Sequence, residues 1–218
     1  MANAGDQLIR EVEEDLQRER WLRLWRAYGR QALGTVAVVV LAVAGYTGWI
    51  EYRESRLGDD GYRYWLAERQ ADAGDIDDAM AAFGALHVDG HGGYPWLAGM
   101  REAQLLAEAG ERDLALQRYD DLAAMDDVLP VWRQLAALYA VMLVVDHADP
   151  DDVDARLALL VDGPWRHLAL ELRGLLHLRT GDTESAVASF EALAGDADAP
   201  PSAVLRAREL LSLTTGGY

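Results

Sequence analysis

The chain has 218 residues and a formal net charge of −17 at pH 7, from 20 basic residues, all of them arginine, and 37 acidic ones. Such an acid excess repels phosphates, which excludes nucleic acid and anionic lipid as ligands of the acidic part. There is no cysteine, so disulfides and a thiol nucleophile are excluded as well.

Residues 1–31 are expected to form a cytoplasmic juxtamembrane helix. Leu8, Val12 and Leu16 share one face, and Glu14–Arg18 and Glu19–Arg23 stand at the i,i+4 spacing that supports a helix. The segment is either a solvated helix or a docking helix for a membrane partner. Residues 32–50, ALGTVAVVVLAVAGYTGWI, are nineteen without a charge. At about 1.5 Å per residue they reach roughly 28 Å, enough for the apolar core of a lipid bilayer at about 30 Å. Aromatic residues mark both ends, Trp21, Trp25 and Tyr28 before and Tyr46, Trp49 and Tyr52 after, as at headgroup level. A buried core helix would carry a polar stripe that this run lacks.

Arg18, Arg20, Arg23, Arg26 and Arg30 precede the span, and Arg53, Arg56 and Arg63 follow it. This bias places the N-terminus in the cytoplasm and the remainder of the chain outside it. A cleavable signal peptide is the competing reading, because Ala42-Val43-Ala44 matches an Ala-x-Ala site. Against it, the segment ahead is long and carries acids, and the apolar run continues past the site. Residues 51–60 are expected to be a linker. Residues 1–50 hold six arginines and six acids, so the whole net charge falls on residues 51–218.

Beyond residue 61 one frame returns three times: a Gly, Ala five residues on, an aromatic nine on and Leu twelve on. It reads Gly74-Ala79-Phe83-Leu86, Gly110-Ala115-Tyr119-Leu122 and Gly181-Ala186-Phe190-Leu193. The Gly is expected to end one helix with φ > 0. Ala and the aromatic, four apart, then lie on one face of the next helix and form a stacking surface. Seven residues before each Gly stands another small residue, Ala67, Ala103 or Gly174.

From Gly74 to Gly110 is 36 residues, close to one helix–turn–helix unit of the tetratricopeptide type, and from Gly110 to Gly181 is 71, about two units. The intervening unit is expected as two helices, Pro130–Val145 and Asp151–Val161, with Ala155 and Leu159 keeping the small and large pair. Pro95-Trp96, Pro130-Val131-Trp132 and Pro164-Trp165 stand where first helices should begin. The Trp of each is read as a wedge between successive hairpins. Pro200-Pro201 opens a last helix to about Leu213.

The resemblance to tetratricopeptide repeats covers about Gly61 to Leu193, although Arg63, Gly99 and Leu170 replace the early Trp and the late Pro is displaced downstream. The expected fold is all-α: a transmembrane helix, then at 61–218 an α-solenoid of about four such hairpins plus a C-terminal helix. Stacked hairpins present a concave surface lined mainly by their first helices. On those helices Trp65, Met100 and Tyr139 are candidate protein contacts, with core packing as the competing reading of each.

Reactive chemistry finds no support. His87 and His91 have ligand spacing without a third or fourth ligand nearby, so no metal is expected. Asp149-Pro150-Asp151-Asp152-Val153-Asp154 lacks the central Gly and distal Glu of a calcium loop and is read as a helix cap. No triad order or phosphate-binding Gly loop is present, so neither an enzyme nor a cofactor is expected.

The order of an Arg-rich N-terminal helix (EVEEDLQRERWLRLWRAYGRQ), one span, degenerate hairpins and GPWRHLALELRGLLHLRTGD near the end resembles the bacterial ancillary SecYEG translocon subunit family. The repeat domain of that family is shared with cell division coordinator proteins. The resemblance implies an inner-membrane protein whose repeat domain lies in the periplasm. It implies partnership with the Sec translocon and a membrane-anchored periplasmic chaperone, assisting client chains as they emerge. An envelope adaptor for division or wall-synthesis machinery is the alternative, and an envelope enzyme with a novel site is a third class.

Overall fold

The computed structural model of the protein describes the backbone of residues 3–216 and the side chains of residues 31, 33–35 and 38–216. Among the described residues the secondary structure is entirely helical: α1 (Asn3–Ala73), α2 (Ile76–Asp89), α3 (Tyr94–Glu108), α4 (Arg112–Ala123), α5 (Pro130–Val144), α6 (Pro150–Ala158), α7 (Arg166–Thr180), α8 (Thr183–Gly195) and α9 (Pro201–Gly216). The chain divides into two compact units, Met1–Arg56 and Leu57–Tyr218.

The first unit is helical from Asn3. Its apolar run is long enough to cross a membrane, with a mean hydropathy of 1.9 over its most apolar stretch and none of that stretch buried. Leu33, Val38, Leu41, Tyr46 and Trp49 all face away from protein. The two threonines in the run are satisfied within the helix itself: Thr35 Oγ1 donates to Gln31 O at 3.0 Å, and Thr47 Oγ1 to Val43 O at 3.0 Å. Such back-bonding removes the penalty that a free hydroxyl would bring to a hydrocarbon environment. The Leu8–Val12–Leu16 face, the Glu14–Arg18 and Glu19–Arg23 pairs, and the aromatic and arginine residues before the run lie outside the described side chains.

Residues 51–60, expected as a linker, are helical and belong to α1. No proline interrupts the segment, and its one glycine, Gly58, weakens a helix by only about 1 kcal/mol. Gly61 has a packing reason: a Cβ there would stand 2.7 Å from the Tyr94 hydroxyl.

In the second unit the end of α1 pairs with α2, α3 with α4, α5 with α6 and α7 with α8, and α9 packs against α8. These are the four hairpins and the closing helix. Gly74, Gly110 and Gly181 have φ of 89°, 86° and 78°. Each makes the same double closure, Gly181 N to Leu178 O at 3.1 Å and Asp182 N to His177 O at 2.9 Å being one instance. That is the Schellman arrangement, which satisfies carbonyls the ended helix leaves open.

All nine frame residues after the glycines are buried. The small residue across the hairpin has a direct role: a Cβ on Gly174 would lie 2.3 Å from the Phe190 ring. Ala67 meets Phe83 in the first hairpin's core, and Ala103 meets Tyr119 in the second's.

The third hairpin corrects the expected register. Val153, Leu157 and Leu160 are buried, whereas Ala155 is exposed and Leu159 is 79% exposed. Val153, Leu157 and Leu160 keep the four- and three-residue steps of the frame, and counting back places Ala148 where the other units have Gly. Ala155 and Leu159 match the frame in residue type but stand two positions away from it. Asp149 fixes the start of α6 by accepting from Asp151 N at 2.9 Å, the helix cap expected there.

Between hairpins the tryptophans act as spacers. Trp96 and Trp132 have ring centroids 5.4 Å apart, and Trp165 Nε1 donates to Val131 O at 2.9 Å. Pro95 and Pro130 lie in the first turns of α3 and α5, while Pro164-Trp165 stands just before α7.

The register is testable by urea unfolding. Leu157→Ala should lower stability by about 2–5 kcal/mol through a cavity, and Leu159→Ala should stay within about 0.5 kcal/mol. Phe190→Ala should cost about 3–5 kcal/mol. Equal midpoints for the two leucine variants contradict the register.

Candidate protein-binding surface

The first helix of each hairpin gives one face to its partner helix and leaves another outward. Tyr64 on α1, Leu97, Met100, Arg101 and Gln104 on α3, and Tyr139 on α5 meet on that second face. With Tyr119 from α4 they line a depression of about 170 Å³. Met100 is half-buried, and Tyr139 is 40% exposed with its ring centroid 5.7 Å from that of Tyr119. Two of the three candidate contacts are thus brought together. Trp65 stands apart: it is 52% exposed, stacks on Tyr62 at 5.9 Å and lies beneath the Arg69 guanidinium at 5.4 Å. It is therefore not a core residue.

Five side chains of the depression escaped sequence reasoning, Tyr64, Leu97, Arg101, Gln104 and Tyr119. For Tyr119 a signal existed. The frame places Phe at the equivalent positions 83 and 190, so a hydroxyl in the second hairpin alone called for a polar neighbourhood. Arg101 is held by Glu68 of the preceding hairpin, Nε reaching both carboxylate oxygens at 3.1 Å.

Burial pushes the Tyr64 phenol up to about 12, with the nearby Glu68 carboxylate adding to the effect. Burial likewise pushes Tyr119 up to about 12, helped by Tyr139 and Glu108. Both phenols therefore stay neutral at physiological pH and keep a proton to donate. Neutral hydroxyls, a guanidinium and an amide on an apolar floor suit a polypeptide, which offers carbonyls, N–H groups and side chains together.

The two histidines of the ligand-like spacing turn to different partners. His87 Nδ1 lies 2.8 Å from Pro95 O, and His91 Nδ1 lies 2.8 Å from Asp60 Oδ2. Among the described residues no group of three or more His, Asp or Glu gathers as metal ligands would.

The model of the family described as tetratricopeptide repeat-like domain matches residues 22–211. The chain belongs to that family. A comparison with curated proteins finds no match. In this tetratricopeptide repeat-like protein the matched segment includes the apolar run at 32–50 as well as every hairpin. Its repeats form a protein-interaction scaffold.

Raised phenol pKa values carry a sign. A folded-state proton held up to about 12, against about 10 when unfolded, gives stability that is intact below pH 10 and is lost as pH rises through 12. Ultraviolet titration should show a late-ionising component that loses one tyrosine in Tyr64→Phe and another in Tyr119→Phe. Ordinary titration of all nine contradicts the burial of these phenols.

Proposed function

We propose that this protein is a single-span inner-membrane factor that holds its repeat domain in the periplasm, beside the exit of the Sec translocon. There it binds envelope proteins as they emerge, together with a membrane-anchored periplasmic chaperone. One observation carries the reading: a span-like helix and the interaction repeats fall within a single family match, residues 22–211. An apolar run that belongs to the matched pattern is more simply an anchor than a leader to be removed. The arginine bias before it supports a cytoplasmic N-terminus, and the resemblance in element order supports the translocon as neighbour.

Only six residues separate Ile50, at the end of the run, from Leu57, where the repeat unit begins. A tether that short raises the effective concentration of the repeats near any complex the span engages. Contacts of about micromolar strength then suffice, since about −8 kcal/mol is supplemented by proximity. Met100 and Tyr139, with the side chains around them, are the contact set for client chains, and Trp65 is a separate exposed aromatic.

Three measurements test this. Protease added to spheroplasts should degrade the repeat domain and leave a small membrane-protected fragment; full protection of the repeats reverses the topology. Co-purification in mild detergent should recover translocon components with the full chain and scarcely with a version lacking residues 1–50. Tyr139→Ala should reduce client crosslinks several-fold with the unfolding free energy within about 1 kcal/mol of the parent. Recovery of division or wall-synthesis proteins alone favours the adaptor.

A further inference from the structure

A second cavity, of about 420 Å³, opens between the second and third hairpins, walled by Trp96, Trp132, Met125 and Val128. Its size is that of a ligand pocket. Two features of its lining look unfinished. Asp127, the one charged side chain of the lining, is exposed and makes no hydrogen bond or ion pair among the described residues, although its neighbour Asp126 pairs with Arg133 at 3.5 Å. Trp132, on the same lining, is 43% exposed.

An apolar filling and a cation are therefore wanted within one small space. We propose that the cavity binds a polypeptide segment in which a bulky apolar residue is followed by arginine. The apolar side chain fills the cavity against Trp96, Met125 and Val128, and the guanidinium lies over Trp132 and pairs with Asp127. A small cation lacks the apolar filling, and an acidic segment meets repulsion from Asp127 and from a domain where acids outnumber arginines by 31 to 14 after residue 50.

Continuity with the candidate surface favours a chain over an isolated small molecule. Leu97 lines both this cavity and the depression around Met100 and Tyr139. One extended segment crossing Leu97 occupies both. The wall is also fixed in advance. Buried Asp60, its side chain 4% exposed, accepts from His91 N at 2.7 Å and contacts His91 Nδ1, which pins the connection carrying Gly92 and Gly93. A preformed wall loses less entropy on binding than one that must order.

This inference rests on the protein-binding reading above and names one class of sequence it takes. The test uses the full chain in mild detergent, isotope-labelled on its tryptophan indole nitrogens, with the Trp96 signal assigned by Trp96→Phe. The probe is an acetylated alanyl-leucyl-arginyl-alanine amide. It should shift the Trp96 and Trp132 indole signals saturably, while peptides with glutamate for arginine or serine for leucine need on the order of tenfold more. Asp127→Asn should raise the half-saturating concentration about threefold, and Trp132→Ala on the order of tenfold. Absence of a saturable Trp96 shift, equal binding of the glutamate peptide, or an unchanged Asp127→Asn variant overturns the proposal. If the peptides fail while partners still co-purify, the cavity assignment alone falls. If the peptides bind while no partner is recovered, the preceding reading alone falls.

Discussion

An aromatic ring pressed onto a position with no room for a side chain sets the spacing of the hairpins that carry it. Phe190 occupies the volume a Cβ of Gly174 would need, and Phe83 and Tyr119 meet Ala67 and Ala103 in the equivalent cores. Such contact lets two helices approach closely and keeps dispersion contacts along the seam. Everything outward depends on that spacing. With the inner face committed to the ring, the outer face of each first helix is free, and Tyr64, Met100 and Tyr139 come to share one depression.

Successive hairpins are then joined by polar links as well as apolar ones. Arg101 reaches Glu68, Arg156 reaches Asp120 at 2.6 Å and Arg206 reaches Glu171 at 2.8 Å, each from one hairpin or closing helix to the unit before it. These pairs are half-exposed or open to solvent, so each adds on the order of 0–1 kcal/mol. Their geometry matters more than their energy. A guanidinium fork grips both carboxylate oxygens and fixes orientation, which an ammonium cannot do. A chain whose basic residues are all arginine is well supplied for this, whatever the origin of that composition.

What was legible in the sequence was local. The Gly–Ala–aromatic–Leu frame spans thirteen residues, and each of its three full copies folded as its spacing required. The third unit was misread because residue type was matched ahead of position: Ala155 and Leu159 look right, but the cap at Asp149 starts the count elsewhere. Residues 51–60 read as a linker between the apolar run and the repeats, yet the segment has no proline and its one glycine leaves the helix unbroken. The candidate surface was half legible. Periodicity put Met100 and Tyr139 on first helices, but only the stacking of one hairpin on the next brings Tyr64 and Tyr139 to the depression around Met100. The cavity at Trp96 depends on two connections 30 or more residues apart, a separation that no local pattern reports.

The repeat unit holds a string of small cores rather than one. Ala67, Phe83 and Leu86 form one, Ala103, Tyr119 and Ala140 another, and an aliphatic group running from Leu138 to Leu176 a third. Each draws its buried residues from stretches consecutive in the chain. At the far end α9 fully buries just Ala203 and Ala207. A molecule built this way frays rather than melts: backbone amides of α9 exchange with solvent first, then those of α8, while the aliphatic core behind them stays shut. A processive protease or unfoldase starting from that end would meet a series of low steps in place of one high barrier.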